Sequence, residues 1–308
     1  MQTKYAFFEG KIVPIDQAKV SVMTHAMHYG TACFGGIRAY WNDEDEELYV
    51  FRLEDHIARF LSSARLLLMN VALSPDALHA TVLDLLRREG FRADTYVRPL
   101  AYKADLRIGV LLHGMTDEIT IFATPFGRYI DKEEGADVCV STWRRIDDNA
   151  IPARGKIAGA YVNSAFIKSE ALMNGFDEAI VLNQNGHVSE GSAENLFMVR
   201  NGKLITPPIT SNILEGITRR TVIELAAAEL GIQTEQREID RTELYVCDEL
   251  FFCGTGVQVA AIASVDRRPV GSGTIGPVTQ SIRDLYFDVV KGKVGKYRAW
   301  NTPVYVEA

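Results

Sequence analysis

Ile151-Pro-Ala-Arg-Gly-Lys156-Ile-Ala-Gly-Ala-Tyr161, followed at residues 188–197 by Val-Ser-Glu190-Gly-Ser-Ala-Glu-Asn-Leu-Phe, is the pair of segments on which the reading of this chain turns. Lys156 sits among Gly155, Ala158 and Gly159, small neighbours that let a flat ring approach the backbone. Lysine becomes a nucleophile, and condenses with aldehydes, when desolvation or nearby positive charge pulls its pKa down. Tyr161 follows five residues on, and Ser189-Glu190-Gly191 reads as a tight turn carrying a carboxylate, with Glu194 close behind it. A carboxylate beside a pyridine nitrogen favours the protonated ring, because charges ~4 Å apart at an effective dielectric near 20 interact by roughly 4 kcal/mol. Each part has a plainer reading alone, a solvated loop lysine and a solvated turn; the combination points to chemistry.

Two further segments suit a phosphate. Leu214-Glu-Gly-Ile217-Thr218-Arg219 opens a helix, where free backbone N–H groups and the dipole favour an anion and Thr218 adds a hydroxyl, unless that hydroxyl only caps the helix. Arg59, in Asp55-His-Ile-Ala-Arg59 on an amphipathic helix, is the other candidate, although an arginine there is more often surface. A reactive lysine, a tyrosine, a ring-facing carboxylate and a phosphate seat are what an enzyme needs to hold pyridoxal phosphate.

The chain of 308 residues is long enough for two domains with their own cores. With 47% apolar and 24% charged residues and a formal charge of −7, it has no broad basic surface for nucleic acid or anionic lipid. Cys33, Cys139, Cys247 and Cys253 match neither a zinc pattern nor a redox motif and are expected as buried free thiols. His25 and His28 are three apart but lack a third ligand nearby, so they are read as structural and no metal is expected. The first residues lack an apolar signal region, and no window reaches the roughly 18 apolar residues of a membrane span, so a soluble, cytoplasmic protein is expected.

Tyr5 to Phe8 and Lys11 to Pro14 flank a Glu-Gly turn and read as a hairpin. Apolar residues at 53, 57, 60, 61, 64, 67 and 68 predict a helix over 53–69, and Ser74-Pro75 starts a second that Gly90 ends. Strands are predicted at 95–103, 118–124, 136–143, 178–182, 194–200, 203–206, 249–253 and 257–265, with helices at 161–174, 217–230 and 277–290. The Pro, Gly and charge-rich stretch 124–135 reads as a linker between an N-terminal domain, 1–123, and a C-terminal domain, 136–308.

On these residues the chain resembles the branched-chain-amino-acid aminotransferases, within the class IV (fold type IV) pyridoxal-phosphate enzymes. The resemblance runs through Tyr5-Ala-Phe-Phe-Glu-Gly10, His25-Ala-Met-His-Tyr-Gly-Thr-Ala-Cys-Phe-Gly-Gly-Ile-Arg38, Tyr96-Val-Arg-Pro99, Lys156, Ser189-Glu-Gly-Ser-Ala-Glu-Asn195, Gly216-Ile-Thr-Arg219 and Phe252-Cys-Gly-Thr-Gly256, nearly the whole chain. It implies a mixed α/β, two-domain fold, with a small N-terminal α+β domain, a larger C-terminal domain with a barrel-like β core, and the cofactor between them. It further implies that Lys156 holds the aldehyde, that Tyr161 bonds the ring oxygen and Glu190 the pyridine nitrogen, and that Arg59, Ile217, Thr218 and Thr255 hold the phosphate. Gly254, Thr255 and Gly256 would meet the substrate carboxylate, and Phe34, Gly36, Arg38, Tyr96, Arg98, Val110, Phe126 and Tyr129 would form the substrate pocket.

The activity so implied is ping-pong transamination between L-leucine, L-isoleucine or L-valine and 2-oxoglutarate, by a homodimer or larger homo-oligomer. One position departs from the family pattern: residue 35 is Gly where the family usually has Glu, which removes a carboxylate from the pocket edge and bears on substrate range. D-amino-acid aminotransferases, (R)-amine transaminases and aminodeoxychorismate lyases share the fold and the lysine, and a cofactor-binding protein without turnover is a further, non-enzymatic alternative.

Overall fold

The computed structural model describes residues 2–127, 132 and 134–306. The chain divides into two compact units: Met1–Gly127 with Gly155–Ala160 and Asp288–Ala308, and Arg128–Arg154 with Tyr161–Phe287.

The first unit carries strands β1 (Tyr5–Phe8), β2 (Lys11–Pro14), β3 (Ala32–Phe34), β4 (Ile37–Asn42), β5 (Glu47–Phe51), β6 (Thr95–Lys103) and β7 (Asp117–Pro125), and helices α1 (His25–Tyr29), α2 (Leu53–Leu66) and α3 (Pro75–Glu89). Its antiparallel sheet runs from the chain's last strand, Asn301–Pro303, through β5, β4, β6, β7, β1 and β2, with β3 added beside β6. Glu9 and Gly10, at φ 47° and 76°, turn the β1–β2 hairpin with the positive backbone angles that match strand twist. α3 begins and ends as its sequence predicts: Ser74 Oγ accepts the Ala77 N–H at 3.2 Å, Pro75 fills the first turn, and Gly90 closes the helix at φ 66°. α2 buries Leu53, Ile57, Phe60, Ser63 and Ala64 along one face. It stops three residues short of the predicted Met69, because the Leu67 and Met69 N–H groups both return to the Ala64 carbonyl and Leu68 takes a φ of 51°.

The second unit carries β8 (Ala136–Arg144), β9 (Glu178–Leu182), β10 (Val188–Gly191), β11 (Asn195–Arg200), β12 (Lys203–Thr206), β13 (Thr234–Gln236), β14 (Glu249–Gly254), β15 (Gln258–Val265) and the short β16 (Arg268–Pro269). Their order is β10-β9-β8-β15-β14-β11-β12-β13, with β16 beside β15; one of the chain's two sheets is a half-barrel. β8 and β9 are parallel, with helix α4 (Tyr161–Met173) between them in sequence; β12 and β13 are parallel with α5 (Ile217–Glu229) between them. The core includes Val138, Ile180, Leu196, Phe252 and Ile262, and Phe197 stacks on Phe251 at 5.1 Å on the strands β11 and β14. Helix α6 (Pro277–Val290) has its first turn held by the buried Glu249, whose carboxylate accepts the Val278 and Thr279 N–H groups at 3.0 and 2.7 Å.

Two sequence expectations change here. Ser189-Glu190-Gly191 is not a turn; it lies in the fully buried β10, and the turn falls earlier, where the Asn183 side-chain carbonyl accepts the Asn185 and His187 N–H groups and Gly186 takes a φ of 89°. The C-terminal segment groups with the first unit rather than with residues 136–287, because buried Glu47 accepts the N–H groups of Val304, Tyr305 and Val306 at 2.8–3.0 Å. Residues 128–131 and 133 of the expected linker lie outside the described residues.

All four cysteines are buried and free, and burial pushes the Cys33 and Cys247 thiols up to about 12 and Cys139 to about 11. Among the described residues no helix is long and apolar enough to cross a membrane, and no group of three or more His, Cys, Asp or Glu side chains is placed to hold a metal.

Candidate functional site

Lys156 belongs to the first unit through backbone contacts on both sides. Its N–H donates to Ser63 Oγ of α2 at 3.1 Å, and its carbonyl accepts the Phe34 N–H of β3 at 3.0 Å. Three glycines allow this approach. A Cβ on Gly155 would meet Leu66 Cδ1 at 2.8 Å, and one on Gly30 would meet Gly159 Cα at 2.8 Å, where the Gly159 N–H donates to the Gly30 carbonyl at 3.2 Å. The half-buried amine lies 5.1 Å from the centre of the Phe34 ring. Arg59, half-buried on α2, is one turn away from Ser63, whose hydroxyl donates to the Arg59 carbonyl at 3.0 Å.

Phe34 carries a second cation, since Arg98 Cζ lies 4.5 Å from the same ring centre. Arg98 donates to the Tyr96 hydroxyl at 3.0 Å, and its Nε is buried with no hydrogen-bond partner among the described residues. Tyr96 packs on Phe126 with ring centres 5.4 Å apart. Gly36 is required for this arrangement, because a Cβ there would fall 2.2 Å from the Tyr96 hydroxyl. Arg38 is buried, lies 5.2 Å from the Phe126 ring centre and donates to the Phe126 and Gly127 carbonyls. Phe34, Gly36, Arg38, Tyr96, Arg98 and Phe126 are thus neighbours along β3, β4, β6 and the end of β7. Gly35 joins them for a packing reason: its N–H donates to the Pro99 carbonyl at 2.8 Å, and a Cβ would lie 2.6 Å from Pro99 Cγ. Val110 is not brought to them; it is 84% exposed on the β6–β7 loop. Tyr129 lies outside the described residues.

In the second unit the carboxylate of Glu190, only 2% exposed, is held on both oxygens. One oxygen pairs with Arg145 at 2.8 Å; the other accepts the Asn195 amide at 3.1 Å and the Leu214 N–H at 3.0 Å. A buried carboxylate so surrounded by donors stays ionised, the state that a protonated pyridine nitrogen requires. Asn195 also donates to the Leu214 carbonyl at 2.9 Å, and Gly216 has to be glycine, since a Cβ would sit 2.0 Å from Asn195 Oδ1. Gly216 is the N-cap of α5 and supplies no side-chain cap, so the N–H groups of the first turn, beside buried Ile217 and Thr218, remain directed at any anion placed there. Arg219 is not part of that seat; its guanidinium is buried on the Pro207 carbonyl and Gln236, and burial lowers its pKa.

Glu194 contrasts with Glu190. Burial, then the charge of Glu178, pushes its carboxyl up to about 8; it packs against the Gly191 and Gly254 backbones. Gly254, Thr255 and Gly256, all half-buried, form the β14–β15 turn, and Tyr161 opens α4 half-buried. Reasoning from sequence did not find Arg145 or Ser63. Neither stands in a motif, and only burial reveals them: Arg145 is a 6% exposed cation and Ser63 a 1% exposed serine in a helix. His25, in contrast, is structural as expected, with Nδ1 on Thr31 Oγ1 at 2.8 Å and Nε2 on the Gly109 carbonyl at 2.7 Å.

The family model described as Amino-transferase class IV matches residues 32–265. A probable branched-chain-amino-acid aminotransferase of Aquifex aeolicus (strain VF5) is 50% identical over 301 residues, covering 98% of this chain and 97% of its own. The branched-chain amino acid aminotransferase of Thermobaculum terrenum in its PLP-bound holo form is 41% identical with a TM-score of 0.95, covering 99% of both chains. The T.th. branched-chain amino acid aminotransferase complexed with N-(5'-phosphopyridoxyl)-L-glutamate is 38% identical with a TM-score of 0.93, also over 99% of both chains.

Proposed function

Because the chain belongs to the class IV aminotransferases, pyridoxal-phosphate enzymes of fold type IV, we propose that it transfers the amino group of L-leucine, L-isoleucine or L-valine to 2-oxoglutarate by a ping-pong mechanism. The products are branched 2-oxo acids and L-glutamate. The single observation that carries this reading is the Phe34 ring with Arg98 on it and Lys156 beside it. One apolar ring suits a branched side chain, whose full burial contributes roughly 1.5–3 kcal/mol. Arg98 Nε, buried without an acceptor among the described residues, suits the distal carboxylate of a dicarboxylic partner in the other half-reaction. The name of the A. aeolicus relative and the glutamate adduct bound to the T.th. enzyme support the same two substrates.

The residues fit the cofactor on the donor set itself: a held, ionised carboxylate in Glu190, an uncapped helix start with Thr218, and a lysine fixed through its backbone. Pyridoxal phosphate, when bound, supplies an aldehyde that captures amino groups and a ring that withdraws electrons from the substrate Cα. Lys156 would anchor that aldehyde, and its Nζ, once released to the substrate amine, would take the proton from the substrate Cα and serve as the general base and acid of the exchange. Glu190, oriented by Arg145, Asn195 and the Leu214 N–H, accepts the ring N–H, and Tyr161 donates to the ring oxygen. Arg59, the N–H groups at Ile217 and Thr218, and Thr255 hold the phosphate, while the Gly254–Gly256 backbone meets the substrate α-carboxylate. Gly36, Arg38, Tyr96, Phe126 and Tyr129 complete the substrate side. The assembly is a homodimer or larger homo-oligomer, and the setting is cytoplasmic.

The test is a donor panel with 2-oxoglutarate. L-leucine is expected to outrun D-alanine and (R)-1-phenylethylamine, and Arg98→Ala to raise KM for 2-oxoglutarate about 10- to 100-fold, the range set by losing a charged hydrogen bond, with the L-leucine half-reaction changed by much less. Faster turnover with D-alanine or the (R)-amine would move the chain to another branch of the family. An unchanged KM in the Arg98 variant would remove that residue from the site.

A further inference from the structure

We propose that Ser63 is a positioning residue, whose hydroxyl fixes the spacing between the lysine that captures the cofactor's aldehyde and the helical turn that carries a phosphate ligand. The inference rests on the roles of Lys156 and Arg59 proposed above. Ser63 is 1% exposed on α2, and its Oγ makes two bonds that together span those roles: it accepts the Lys156 N–H at 3.1 Å and donates to the Arg59 carbonyl at 3.0 Å. A serine bonding back to the carbonyl four residues earlier is ordinary in a helix, and Ser62 does the same to Ala58 at 2.9 Å on the exposed side. Ser63 differs in receiving, on its free lone pair, a backbone donor from 93 residues away in sequence.

The Lys156 peptide is held from its other side by the Phe34 N–H, a backbone group. Ser63 is therefore the side chain in this clamp. Without its hydroxyl the Lys156 N–H loses its acceptor, and the lysine backbone is free to shift relative to the turn carrying Arg59. A cofactor gripped at both ends is sensitive to that spacing, because a misplacement on the order of 1 Å degrades a reaction between held groups. A cofactor analogue without the aldehyde needs only the phosphate end and is indifferent to it.

The experiment measures binding to the apo full-length protein of pyridoxal 5′-phosphate and of pyridoxine 5′-phosphate, which has an alcohol where the aldehyde stands. Borohydride fixation of the bound cofactor is measured in parallel. In that reaction the lysine amine condenses with the aldehyde, a C=N bond forms and water leaves; borohydride adds hydride to the carbon and the nitrogen takes a proton from water. Ser63→Ala is expected to raise the Kd for pyridoxal phosphate about tenfold and to slow fixation, with pyridoxine phosphate within about twofold of the parent. Ser62→Ala, which removes a back-bond to Ala58 and an exposed bond from Arg65 but no bond to Lys156, is expected to leave all three readings unchanged. If Ser63→Ala does not fold, Ser63→Cys, close in size and a poor acceptor, serves the same test. Equal weakening of both ligands, or no change in either, would overturn the proposal. Lys156→Ala keeps the two readings apart: if that variant still fixes cofactor with borohydride, it is the assignment of the lysine that fails.

Discussion

Glu190 and Glu194 stand four residues apart, both buried, with opposite electrostatic settings. Glu190 is ionised by its ion pair with Arg145 and two further donors, and breaking such a pair from one side leaves an uncompensated buried charge. Arg145→Ala is expected to lower stability by about 3–5 kcal/mol in denaturant titration, with Arg145→Lys intermediate. Glu194 works in the other direction. Its folded-state pKa, near 8, is above the ordinary 4.5, so between those values the unfolded chain releases a proton that the folded chain keeps, and stability falls as pH rises from about 4.5 to about 8. Glu194→Gln is expected to flatten that limb of a stability–pH curve; an unchanged slope would assign the limb to other groups.

Elements with strong local signals follow the sequence, and those set by tertiary contacts do not. α3 was legible from Ser74, Pro75 and Gly90, and the bounds of β6 and α6 coincide with the runs of residues that predict them. β10 was not, because Ser-Glu-Gly is turn-like locally and becomes a strand only through pairing of Glu190 with Val181. The same limit applies to the candidate site. Lys156, Glu190 and Thr218 were legible because their chemistry is visible in residue type and spacing, whereas Ser63 and Arg145 contribute through burial and long-range hydrogen bonds that no motif encodes. Short polar elements behave like α3. In the 3-10 turn Arg241–Tyr245, Asp240 and Glu243 form a reciprocal cap, and Arg237 beside Glu243 holds that carboxyl down to about 2. Its stabilising contribution is therefore present above about pH 4.5 and is lost as pH falls from there towards 2. Glu243→Gln is expected to reduce the acid sensitivity of thermal unfolding, measured as a smaller drop in Tm between pH 5 and pH 3.

Across the whole molecule, the chain builds two sheet units whose sequences interleave, and the catalytic candidate Lys156 is grouped with the first although it follows 27 residues of the second. A one-break division at 124–135 was the natural reading of a Pro, Gly and charge-rich stretch. It missed the return of the chain because β-strand pairing at 301–303 and the Glu47 carboxylate, which collects three C-terminal N–H groups, act over more than 250 residues. Amino-group exchange centred on Lys156 is tested by following the visible absorption of the purified, cofactor-loaded protein. L-leucine alone is expected to bleach the band, 2-oxoglutarate is expected to restore it, and Lys156→Ala is expected to lose both the band and the cycle. A band indifferent to L-leucine, or a Lys156→Ala protein that keeps both band and turnover, would contradict the account.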